Sequence, residues 1–250
     1  MRTSIRLGVI AAATIVLSAA IGVRGAVPRQ DVPIPKAPGD TGAKMRGHYE
    51  QILAIHAAVI RGDLPAVAPS ATALIDSLGI ASTGPAEPIA RIRTAARDAA
   101  WAKDLDGAST AAASMLAACG DCHRASRVMP AASLPGLPTV GGVVGTMLEH
   151  QRAIEEMLQG LVVPSTSLWR EGASAFAAIT LHPSDLPVTP GERTQMAGVE
   201  NRLRHVAEQA IDAPEGQPRI TAYATLLAAC ADCHSRHAKV WGPGRGGGHD

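Results

Sequence analysis

The chain has 250 residues, of which 46% are hydrophobic but only 2% aromatic. That length allows one large domain or two small ones, and an alanine-rich, aromatic-poor chain suits closely packed helices and suits β-sheets badly. With 23 basic and 22 acidic residues the net charge is +1, which leaves no basic field for nucleic acid and no acidic tail.

The N-terminus reads MRTSIRLGVIAAATIVLSAAIGVRGAV. Arg2 and Arg6 precede an apolar run over 7–23, the charged and apolar regions of an export signal. Small residues follow (Ala19, Ala20, Gly22, Gly25, Ala26), although no single A-x-A site is clean. The run is slightly long for a signal peptide and slightly short for a comfortable membrane span. The expectation is export with 1–26 removed, and the alternative is a retained N-terminal anchor. In both cases the remainder lies in the periplasm or otherwise outside the cytoplasm. Residues 27–41 are rich in Pro and Gly and read as a linker.

Two similar blocks follow. The first, 42–127, predicts helices over 42–61, 64–78, 86–103 and 107–125. The second, 143–239, predicts helices over 143–161, 165–180, 190–212 and 217–236. A Pro/Gly-rich linker at 128–142 separates them, and 240–250 reads as a flexible tail. Met45 pairs with Met147 and His48 with His150 at an offset of 102, whereas Arg91 and Arg93 pair with Arg202 and Arg204 at an offset of 111. Cys119 and Cys122 match Cys230 and Cys233 at that second offset. Constant offsets on either side of one insertion, placed in the loop TLHPSDLPVTPGE, mark an internal duplication. Met45, His48, Ile52, His56 and Val59 share one helical stripe, as do Met147, His150, Ile154, Met157 and Leu161. Four helices joined by short loops pack as an antiparallel bundle. The expected fold class is therefore all-α, with two tandem antiparallel four-helix bundles.

The four cysteines fall in LAACGDCH and LAACADCH. C-x-x-C-H is the covalent haem attachment pattern. Two thiols at i and i+3 share a helix face, where each can form a thioether to a vinyl group of one porphyrin. The adjacent His then supplies an imidazole to the iron. Cys119, Cys122 and His123 are thus expected to hold one haem c, and Cys230, Cys233 and His234 a second. A zinc site would need C-x-x-C pairs from both blocks brought together. A redox dithiol normally opens a helix in a βαβ setting. Two disulfides would not explain why His follows both pairs. A covalently held haem would also supply bulk to a core with one Phe, two Tyr and three Trp.

A four-helix bundle with C-x-x-C-H near the end of its last helix resembles a class II c-type cytochrome, the cytochrome c prime family, here in a tandem dihaem form. The resemblance covers nearly the whole mature chain. Apart from the attachment motif, it rests on architecture. The family commonly carries a basic residue a turn after the haem His. Arg127 fits that, while Arg236 and Lys239 stand at a different spacing. The resemblance implies an open, five-coordinate iron with an apolar distal side, from which the Met/His pairs here depart.

In an antiparallel bundle the start of helix one lies level with the end of helix four. His48 and His150 are therefore the expected distal ligands, with Met45 and Met147 as alternatives. Two strong axial ligands close the iron to substrates and leave electron transfer. His56 is expected to be partly buried or to face a propionate, His205, which replaces Thr94 in the repeat, to lie outside the shared machinery, and His182, His237 and His249 to be solvated in loops or the tail. Arg91, Arg93, Arg202 and Arg204 form either a solvated face or partners for haem propionates. The expected function is electron transfer between redox partner proteins outside the cytoplasm, without catalysis. The alternatives are a sensor or scavenger of NO or CO, and an accessory haem subunit of a larger respiratory or photosynthetic membrane complex.

Overall fold

A computed structural model of the protein describes residues 39–79, 84–131, 138, 140–182, 184, 186 and 188–236. The segment expected to direct export, most of the first linker, the tail, Lys239, His237 and His249 lie outside the described residues. The described residues fall in one compact unit and are all-helical, with no strand among them. The helices are α1 (Gly39–Ile60), α2 (Leu64–Gly79), α3 (Ala86–Ala100), α4 (Leu105–Ala125), α5 (Gly142–Val162), α6 (Thr166–Ala178), α7 (Pro190–Ile211) and α8 (Gln217–Arg236). Among the described residues no helix is long and apolar enough to cross a membrane.

The sequence-predicted boundaries differ from these by a few residues, and local chemistry explains where helices start and stop. Asp104 caps α4 by accepting from the Gly107 amide at 2.7 Å. Thr189 and Glu192 form a capping box in front of α7, with Pro190 in its first turn. The first linker is shorter than expected at its C-terminal end, because α1 already starts at Gly39.

α1 ends in a Schellman turn. The Gly62 amide donates to Val59 O at 2.9 Å and the Asp63 amide to Ala58 O at 2.9 Å. Gly62 carries the positive φ of 69° that this turn needs. The turn after α5 keeps the longer bond, Ser165 N to Gly160 O at 3.0 Å. Pro164 stands where Gly62 does and has no amide hydrogen to give the shorter one.

Within each half, sequence neighbours pack side by side: α1 on α2, α2 on α3 and α3 on α4, then α5 on α6, α6 on α7 and α7 on α8. The halves also pack on each other. α4 lies against α8 and α5, and α1 against α8. One continuous core results, from Ile55, Leu74, Met115 and Leu116 in the first half to Ile154, Leu158, Phe176 and Leu227 in the second. Alanines allow the close approach in the first half, where Ala96, Ala108, Ala113 and Ala118 are buried. The second half buries the bulk, with Trp169, Phe176 and Tyr223 almost fully enclosed.

Polar groups cross the junction too. His56 is only 5% exposed. Its Nε2 lies 2.8 Å from Tyr223 Oη, and the two rings stack. This corrects the expectation of a partly buried or propionate-facing His56, because Tyr223 of the other half takes up its ring nitrogen. Gln159 Nε2 donates to Tyr49 Oη, and Arg124 pairs with Glu215 at 2.9 Å.

Candidate functional site

Both C-x-x-C-H motifs occupy the last turns of α4 and α8, as the sequence predicts. Cys119 and Cys122 share one face of α4, and Cys230 and Cys233 one face of α8, since residues three apart lie together. Each of the four cysteines is unpaired by any disulfide and only partly exposed as a residue. Burial, with the Cys122 sulfur adding to it, pushes the Cys119 thiol up to about 12. Burial first, then Cys233, pushes Cys230 up to about 12. Cys233 is raised to about 11, by burial and then by Asp232 and Glu200. Burial thus disfavours the thiolate at these positions, whereas a redox-active C-x-x-C pair has a lowered thiol pKa.

The histidines show the same arrangement twice. His123 Nδ1 lies 2.8 Å from Val162 O, and His234 Nδ1 lies 2.7 Å from Ile60 O. A carbonyl oxygen only accepts, so each ring is the donor and carries its hydrogen on Nδ1. In the neutral form of such a ring Nε2 is the acceptor nitrogen. Burial lowers the His234 pKa, which favours the neutral ring. Metal-bound histidines are typically held in this way, with the second ring nitrogen donating to a carbonyl or carboxylate.

The expected distal residues are placed unequally. His150 is 9% exposed, and its ring stacks on Phe176 at 4.8 Å between centroids. Burial, with a smaller push from His234, lowers its pKa to about 4. Met147 packs with Cys233 against a small cluster of Leu181, Leu186 and Met196. The second site thus gathers Cys233, His234, Met147 and His150 in one region. In the first half His48 is half-buried, and burial lowers its pKa. Met45 is 43% exposed.

A cleft of about 320 Å³ opens beside Cys233 between α7 and α8, bounded by Met196, Val199, Arg202, Asp232 and Arg236. Of the four repeated arginines, Arg202 alone borders this cleft. Arg91 pairs with Glu87 and Asp121, Arg93 donates to Leu78 O, and Arg204 donates to Asn201. His182 is exposed, as expected for a loop residue, and so are His205 and Arg127.

The motifs gave no sign of two features. Glu200 is 7% exposed and accepts from the Leu181 amide at 3.1 Å. Burial holds its carboxyl above the usual range. Its charge acts on Cys230 and Cys233. The equivalent position in the first half is Ile89, which lies near Cys122 across Gly84. Comparing the repeats position by position is the signal that would have exposed this Glu/Ile difference. The carbonyls of Ile60 and Val162, by contrast, carry no residue identity that a sequence motif could mark.

Among the described residues no three His, Cys, Asp or Glu side chains converge as a zinc cage requires. No family model, curated protein or solved structure matches the chain.

Proposed function

We propose that the protein is an exported dihaem c-type cytochrome that passes electrons between redox partners outside the cytoplasm. In this reading it is built of two tandem four-helix units that share one core. The observation that carries it is the doubled tether: both C-x-x-C-H histidines donate from Nδ1 to a backbone carbonyl, the way metal-bound histidines are typically held, so that Nε2 is the nitrogen that would bind iron.

The residues fit the group. Cys119 and Cys122 would hold one haem through thioethers, and Cys230 and Cys233 the other. His123 and His234 would be the axial ligands. The attached haem would supply a one-electron couple that no side chain here provides. His150 and His48 are proposed as the distal ligands, with Met147 and Met45 as the alternatives. The buried position of His150 in the region of His234 supports the second site. Closed iron favours electron transfer over gas binding.

The test is spectroscopic. The chain is matured in a host that attaches haem c, and both oxidation states are recorded with and without CO. Two covalent haems with low-spin spectra indifferent to CO are the expected result. A high-spin ferrous form that takes up CO would move the reading to gas binding, and absence of covalent haem would end it. His150→Ala should open one haem to CO and leave the other unchanged.

A further inference from the structure

The tethers cross between the halves. His234 belongs to α8, yet the carbonyl it leans on ends α1, in the other half. His123 belongs to α4, and its carbonyl ends α5. Ile60 and Val162 are equivalent positions at the offset of 102, so the exchange is reciprocal. Helix ends explain why these carbonyls are available. The last turn of a helix has carbonyls with no partner inside the helix. After α1, the Schellman turn occupies Val59 O and Ala58 O and leaves Ile60 O for the His234 ring.

Close backbone approach makes the crossing work. A Cβ added at Gly120, inside the first C-x-x-C, would stand 2.1 Å from Leu161 O. One added at Gly62 would stand 2.7 Å from Ser235 Cβ and 2.9 Å from Ala231 O, beside the second motif. Each glycine admits the helix end of one half against the haem motif of the other.

We propose that each half of the chain sets the iron-binding histidine of the other: Ile60 O fixes the ring of His234, Val162 O fixes the ring of His123, and Gly62 and Gly120 are the positioning residues that permit both. This rests on the cytochrome reading above. A carbonyl accepting from Nδ1 makes the imidazole a stronger donor to iron and favours the oxidised state. Releasing it raises the midpoint potential. Neither site is complete without the partner half.

The full chain, carrying haem, is compared with Gly62→Ala, Gly120→Ala and the control Gly191→Ala, where an added Cβ meets nothing within 4 Å. A Cys119→Ala/Cys122→Ala chain, which retains only the second haem, assigns the two potentials. Gly62→Ala, a change in the first half, is expected to raise the potential of the second haem alone. Gly120→Ala should raise that of the first haem, and Gly191→Ala neither. In parallel, NMR of the folded chain without haem should show a slowly exchanging Nδ1 hydrogen on both His123 and His234. Each glycine variant should speed exchange about tenfold or more at one ring only.

A Gly62→Ala protein with native circular dichroism and both potentials unchanged, or with only the first haem shifted, overturns the proposal. Fast exchange at both rings in the unsubstituted chain overturns it as well, whether or not the variants fold. If no covalent haem forms, the cytochrome reading fails and the iron-ligand role fails with it. Protected Nδ1 hydrogens in that case would leave only a structural tether.

Discussion

The buried pair His56 and Tyr223 sets a pH dependence. Burial lowers His56 from 6.5 to about 4. The unfolded chain therefore binds a proton at this residue before the folded chain does. The stability it contributes is fully present above 6.5 and is lost as pH falls towards 4, by of order 3 kcal/mol. Urea unfolding between pH 7 and 4 should show this slope, and a His56→Leu/Tyr223→Phe chain should show less of it. Tyr223→Phe alone strands the His56 ring nitrogen and should cost about 1–3 kcal/mol, while the double variant recovers most of that. Glu200 works in the opposite sense. Its carboxyl is raised by burial, so its proton is held more tightly in the folded state. The contribution is favourable at low pH and is lost as pH rises through the folded value. Glu200→Gln should therefore be more stable than the unsubstituted protein at neutral pH, with the gain shrinking on acidification.

Helix ends carry much of the specification at the next scale. The capping box at Thr189 and Glu192 fixes the start of α7 after the long inserted loop. Thr189→Ala should cost about 1 kcal/mol by denaturant titration. Glycines set how closely helices meet. A Cβ at Gly172 would lie 2.6 Å from Met157 N and 2.7 Å from Ala153 O, where α6 crosses α5. Gly172→Ala should destabilise by about 1–3 kcal/mol, because helix backbones and not a flexible side chain would have to move. The extents of all eight helices were legible to within a few residues, since apolar stripes, caps and Pro/Gly breaks are local signals. The start of α1 was the least legible: GDT reads as turn chemistry, yet Gly39 already belongs to the helix.

The continuous core predicts that the described helices unfold as one cooperative unit. Trp169 reports on the second half, and Trp101 and Trp241 can be replaced by Phe to isolate its signal. Its fluorescence and the far-UV circular dichroism should then follow a single coincident unfolding curve. Two separated curves would mean that the halves melt as independent bundles. The division of bulk fits one unit, because alanine in the first half lets the aromatic-rich second half approach closely.

The sequence by itself determined the helical class, the repeat offsets and the place of both C-x-x-C-H motifs near helix ends, because periodicity, spacing and repeat offsets are properties of the chain alone. Tertiary structure decided which half holds which histidine. The acceptors are backbone carbonyls, identical at every residue, and only packing selects Ile60 and Val162 for that role. It also decided that His56 serves the junction with Tyr223, and that Glu200 stands beside the second pair of cysteines where Ile89 stands near the first. Such partners lie far apart along the chain, and burial, which no local pattern fixes, determines which of them meet.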